Sequence, residues 1–209
     1  LSSEPVLDRR GVLAGAAAVA LAGPAMARAA DGWSWLNAPR TWAWNDGTLV
    51  CEAGAGTDFW RRTAGGPLID NGHFWFRRQS GDFEMTAVLA GDYAADADQT
   101  GLMLRLAPDL WMKTGVERLG GELHSATVFT RDWSDGSSLV IPTAPAVRVK
   151  LRRSGQTLFC AHAVGEGAFV DTRLGHLPMP DAVDLGVMCA SPAGKGFEAR
   201  ISNITIKSL

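Results

Sequence analysis

The chain has 209 residues, of which 46% are hydrophobic and 20% charged, and a formal net charge of −2. This length and apolar content fit one domain with a sizeable core. The slight acidity excludes the basic stripe that nucleic acid or an anionic membrane surface would require. Cys51, Cys160 and Cys189 are an odd set without a C-x-x-C pair, so at most one intramolecular disulfide can form and no zinc-ribbon or thioredoxin-like site is suggested. All three lie in apolar, strand-like contexts and read as buried thiols.

The chain opens with Asp8-Arg9-Arg10-Gly11-Val12-Leu13, an apolar stretch over 12–22, and small-residue cleavage sequences at Ala25-Met26-Ala27 and Ala27-Arg28-Ala29. The apolar stretch is shorter than the roughly 20 residues a spanning helix needs. Residues 1–30 are therefore expected to be a twin-arginine export signal, leaving no membrane anchor after cleavage and a periplasmic or secreted domain over 31–209.

After residue 30 the chain is a succession of short alternating runs separated by Gly, Asp, Asn and Pro, the pattern of an all-β sandwich. Strands are predicted at 48–52, 73–78, 82–90, 100–106, 111–118, 122–130, 146–153, 157–163, 183–189 and 197–207. Leu119-Gly120-Gly121-Glu122 signals a two-residue hairpin, because paired glycines supply the positive φ angles such turns need. Arg153-Ser154-Gly155-Gln156 signals a second, and Ala107-Pro108-Asp109-Leu110 a third turn. The acidic run Asp92, Asp96 and Asp98 lacks the glycine and terminal Glu of a calcium loop and reads as a solvated turn.

Residues 100–130 thus form a three-stranded meander. Alternation puts Trp111, Lys113, Gly115 and Glu117 on one face of its middle strand. Arg105 is expected on that face, and Arg131 with it if registry allows. Such a mixture of aromatic, cations and anion suits a polar, ring-shaped ligand, and an internal salt-bridge network competes with that reading. The lysine next to Glu117 is expected to depress its pKa. The eight tryptophans, set against one tyrosine, exceed what core packing alone calls for, and sugar faces stack on exposed indoles. His73 follows the Asn71-Gly72 turn and is expected to start a strand, either hydrogen-bonded as a structural residue or pointing into the same face. His124, His162 and His176 show no metal-ligand spacing.

Several blocks, taken in order, resemble the DUF1349 family, which includes the regulation-of-enolase proteins of fungi. They are Thr57-Asp58-Phe59-Trp60-Arg61, Asp70-Asn71-Gly72-His73-Phe74, Gly81-Asp82-Phe83, 99–105, 111–117 and Thr130-Arg131-Asp132-Trp133-Ser134-Asp135. The resemblance implies a concanavalin A-like jelly-roll sandwich of two antiparallel sheets, one of them concave. The chain departs from the family pattern at Gly65-Gly66-Pro67 and at Gly136, which stands where a Trp is usual.

These observations lead to an exported carbohydrate-binding protein whose ligand contacts are His73, Arg105, Trp111, Lys113, Glu117 and Arg131, with Asp58 and Trp60 beside them. A glycoside hydrolase or lyase acting on an acidic sugar is the enzymatic alternative, and a protein-interaction module is the third. Hydrolysis is the weaker reading, because no E-x-D-x-E run supplies the two carboxylates it needs. No catalytic residue, metal or cofactor is assigned.

Overall fold

The computed structural model describes residues 32–209; the expected export signal lies outside the described residues. The strands are β1 (Ser34–Leu36), β2 (Trp42–Asn45), β3 (Thr48–Gly54), β4 (Phe59–Arg61), β5 (Leu68–Asp70), β6 (His73–Ser80), β7 (Phe83–Gly91) and β8 (Gln99–Ala107). They continue with β9 (Leu110–Leu119), β10 (Glu122–Arg131), β11 (Trp133–Val140), β12 (Val147–Ser154), β13 (Thr157–Val164), β14 (Val170–His176), β15 (Ala182–Ala190) and β16 (Gly196–Ser208). All ten predicted strands are present within a few residues of the predicted ends. Six were not predicted as strands: β1, β2, β4, β5, β11 and β14. They are short or poor in alternating apolar residues, and pairing with a neighbour rather than intrinsic preference makes them strands.

Two antiparallel seven-stranded sheets stack face to face. Sheet A runs β1-β6-β15-β8-β9-β10-β11 and sheet B runs β14-β13-β12-β7-β16-β3-β2. Each strand alternates, so one face of each sheet meets the other sheet. From sheet A come Leu102, Leu104, Met112, Val116 and Phe129; from sheet B come Leu49, Met85, Leu89, Val149, Leu151 and Ile201. This is the concanavalin A-like jelly-roll sandwich, and its apolar interior supplies most of the folding drive.

Tryptophan is spent largely on this interior. Trp75 is wholly buried, Trp33 stacks on it at 4.2 Å, Trp35 and Trp44 pack against it, and Trp42 meets Trp35 edge-on. The β9–β10 hairpin turns at Gly120 and Gly121, both at positive φ, and fixes Leu119 opposite Glu122. At Gly115 the need for glycine is steric: a Cβ there would lie 2.0 Å from the Thr100 carbonyl oxygen.

Residues 55–72 leave the sandwich and return as a strap across the outer face of sheet A. Its two short strands, β4 and β5, pair with each other. Phe59 from the strap closes over Phe74, Met103, Trp111, Val128, Met188 and Ala190, giving the molecule a second apolar core outside the sandwich. Gly72 makes room for it, since a Cβ there would come within 2.5 Å of the Phe59 ring. The acidic run at 92–98 also differs from the solvated turn expected. Asp98 is wholly buried, its carboxylate accepting the N–H groups of Ala94 and Ala95 and the Ser191 hydroxyl. A carboxylate that satisfies two backbone donors is scaffolding for the loop.

Candidate functional site: the outer face of sheet A

Cross-strand register settles which side chains share this face. Gln99, Gly101, Met103 and Arg105 of β8 lie opposite Glu117, Gly115, Lys113 and Trp111 of β9. The expected grouping of Arg105, Trp111, Lys113 and Glu117 on one face is therefore present. Arg131 is not part of it. It pairs with Leu110, in the alternate set of β9 that includes Met112 and Val116 of the interior. His73 is likewise on the other side, since it pairs with Cys189, whereas Phe74 of the outer face pairs with Met188.

His73 is a structural hydrogen-bonding residue. The Gly54 N–H donates to its Nε2 at 2.9 Å, so Nδ1 carries the proton and donates to the Asn37 carbonyl at 2.5 Å. The ring ties β3 to the chain following β1.

The two cations on the outer face hold the strap down. Arg105 makes a bidentate pair with Asp70, both contacts at 2.7 Å. Lys113 donates to Asp58 at 3.2 Å and to the Phe59 carbonyl at 2.9 Å. Asp58 also accepts the Phe59 N–H at 2.7 Å. Arg105 and Lys113 are 8% and 6% exposed, and Trp111 under the strap is 1% exposed with its indole N–H on the Pro108 carbonyl. The salt-bridge network is thus real, but Lys113 pairs with Asp58 and not with Glu117. Trp111, Lys113 and Arg105 are inside a packed layer and do not converge with His73 and Arg131 in a shared cleft.

Beyond the strap edge the same face is open. A groove of about 280 Å³ lies over β9, β10 and β11, lined by Trp60, Glu117, Leu119, Ala126, Val128, Gly136, Ser137 and Ser138. Trp60 hangs from the strap with its indole N–H on the Thr63 carbonyl at 3.0 Å, leaving the ring as a half-buried wall. Gly136 faces it: a Cβ there would sit 3.8 Å from both Trp60 and Val128. The floor, Ala126 and Val128, is small and apolar.

Glu117 is the charged group of this groove. Its carboxylate enters none of the hydrogen bonds or ion pairs among the described residues. Burial raises its pKa above the ordinary glutamate value; Lys113 opposes the shift, while Asp58 and Asp96 add to it. This reverses the depression expected from the sequence, because burial outweighs the influence of a lysine that is bonded to Asp58. A continuation of the groove, about 10 Å³ in volume, runs between Gln99, Lys113 and Glu117 and is large enough for a water molecule.

His124, which lacks metal-ligand spacing in the sequence, belongs to the same face. It lies directly opposite Glu117 across β9 and β10, and its Nδ1 is buried without a hydrogen-bond partner among the described residues. The signal was present. A two-residue hairpin joining Leu119 to Glu122 places position 124 opposite 117, and the same register puts Arg131 opposite Leu110.

Fold and face together define a jelly-roll β-sandwich with a strapped outer sheet and an adjoining open groove. The chain belongs to the family described as "Protein of unknown function (DUF1349)", which matches residues 35–209. It is 34% identical over 107 residues to Regulation of enolase protein 1 of Saccharomyces cerevisiae. That alignment covers 51% of this chain and 54% of the yeast protein, so the chain spans about half the length of this curated relative. A crystal structure of a functionally unknown protein from Saccharomyces cerevisiae superposes with a TM-score of 0.81 at 26% identity, covering 85% of this chain and 97% of that one. In fold alone, the chain is similar to the Bacillus subtilis carbohydrate-binding module CBM66, with a TM-score of 0.56, 13% identity and 85% and 96% of the two chains covered. It is also similar in fold to the Bacteroides ovatus protein titled Xyloglucan PUL GH43B, with a TM-score of 0.71, 14% identity and 87% and 37% covered.

Proposed function

We propose that this protein is an exported carbohydrate-binding β-sandwich that holds a sugar in the groove between Trp60 and Glu117. The observation that carries the proposal is the pairing of a half-buried indole wall with a carboxylate that has no hydrogen-bond or ion-pair partner among the described residues. An indole offers a flat apolar surface to the C–H face of a pyranose, and a carboxylate accepts two sugar hydroxyls. Ser138, placed on the outer face by its register with Ala126, adds a hydroxyl on the far strand. The carbohydrate-binding module among the structural neighbours uses a related sandwich, which supports the class of ligand but not its identity. The twin-arginine sequence supports export.

The groove favours a neutral sugar over an acidic one. Arg105 and Lys113, the cations that would have received a uronate, are paired with Asp70 and Asp58 under the strap. Burying them further from their partners would leave uncompensated charge. The lining of the groove contains a single carboxylate, Glu117, whereas glycoside hydrolysis by the common route needs two. That count supports binding over hydrolysis in this groove.

Calorimetric titration with a panel of neutral oligosaccharides tests the assignment. Trp60→Ala is expected to weaken binding by roughly tenfold or more through lost stacking, and Glu117→Gln by about tenfold through loss of charge-assisted hydrogen bonds. Binding unchanged in both variants, or absent from the unaltered protein across neutral and acidic panels, would overturn it.

A further inference from the structure

Two thiols meet where the two sheets converge. The Sγ atoms of Cys51 on β3 and Cys189 on β15 are 3.5 Å apart, although the residues are 138 positions apart in sequence. Both are 1% exposed. Facing sheets normally stack about 10 Å apart, too far for a pair of cysteines to bond unless the backbones approach. Here they do approach. A few residues beyond these cysteines, Ala55 and Ser191 form a parallel bridge between the segments that follow β3 and β15. The Gly56 N–H donates to the Ser191 carbonyl at 2.9 Å, and the Ser191 N–H to the Thr57 hydroxyl at 3.1 Å.

We propose that Cys51 and Cys189 are a disulfide-forming pair, and that oxidation staples sheet A to sheet B at this rim. Reaching the bonded distance of about 2.05 Å needs a modest further approach of side chains that the fold already holds in contact. The reaction is exchange with a disulfide, either oxidised glutathione or a protein disulfide. One cysteine, as thiolate, attacks the oxidant's disulfide, forming a mixed disulfide and releasing one oxidant thiol. The other cysteine then displaces the second oxidant thiol, closing the Cys51–Cys189 bond. Two electrons and two protons pass to the oxidant, which leaves as two thiols.

Surroundings make the pair selective. Cys160 is also buried, on β13, and has no thiol partner among the described residues; burial pushes its pKa up to about 12. The contact with Cys51, together with burial, holds the Cys189 thiol well above its ordinary range. Exchange in the closed fold is therefore slow, and it proceeds through local opening at the rim. Once formed, the bond is equally shielded from reductants. This proposal is independent of the sugar-binding groove, which lies on the opposite surface of sheet A.

The test equilibrates the protein in oxidising glutathione buffer with a low urea concentration that permits rim opening. Acid trapping, alkylation and peptide mapping by mass spectrometry then read the product. The expected result is a Cys51–Cys189 link with Cys160 alone alkylated, and a Tm raised by about 5–10 °C over the reduced protein. Cys160→Ser is expected to form the same link and Cys51→Ser to form none. Alkylation of all three cysteines at equilibrium, a link through Cys160, or a linked form that melts below the reduced one would each overturn the proposal. Failure of Cys160→Ser to form the link would do the same.

Discussion

The outer face of sheet A is divided between two neighbouring regions with opposite fates. Under the strap, Arg105, Lys113 and Trp111 are covered, paired and packed. Two side-chain repeats further along β9, Glu117 and Trp60 border open space. Both regions draw on the same strands, and Lys113 and Glu117 are four residues apart on β9. The difference comes from a separate segment, the strap, which brings Asp58 and Asp70 to the cations but no hydrogen-bonding or ion-pair partner to Glu117. A charged side chain on a strand becomes available to a ligand only where no other part of the chain has claimed it.

The comparison can be broken most forcefully at Lys113. Its removal leaves Asp58 buried without its cation, and Lys113→Ala is expected to cost about 3–5 kcal/mol in denaturant unfolding. A loss below about 1 kcal/mol would mean that the strap is not held by this pair. Asp70 is one-third exposed, so Asp70→Asn should be milder, about 1–2 kcal/mol. It should loosen the strap before the sandwich, seen as faster amide exchange at residues 55–72 with the β8 and β9 protection retained.

The open half is sharpened by filling it. Gly136→Trp would place a ring in the groove beside Trp60, because a Cβ at 136 already lies 3.8 Å from that indole. Loss of sugar binding with stability changed by less than about 1 kcal/mol is the expected outcome, checked by calorimetry alongside thermal melting. Retained affinity would remove this groove as the binding site.

The smallest effect is a pH slope. Burial raises the Glu117 pKa, so the native state holds this proton more tightly than the unfolded chain does. Its contribution to stability is full below the unfolded value of about 4.3 and is lost as pH rises through the native value. Glu117→Gln should flatten that segment of the urea-unfolding profile. An unaltered slope would show that the carboxylate is solvated in the native protein.

The fold was largely legible in the sequence. Alternation located the strands of both sheet interiors, and the glycine-paired hairpin carried the β9–β10 register. That register, followed outward from Leu119 and Glu122, already separates Arg131 from Lys113 and joins His124 to Glu117. The tryptophans were harder, since nothing local distinguishes Trp75, packed against three other indoles, from Trp60 at a groove wall.

Local sequence therefore determined the strands, their turns and which side chains share a face, because alternation and turn geometry act over a few residues. The tertiary structure alone decided which of those side chains are free. Asp58 lies 55 residues from Lys113 and Asp70 lies 35 residues from Arg105. Coulomb attraction and burial depend on distance in space, and no pattern along β9 records where a distant strap will settle.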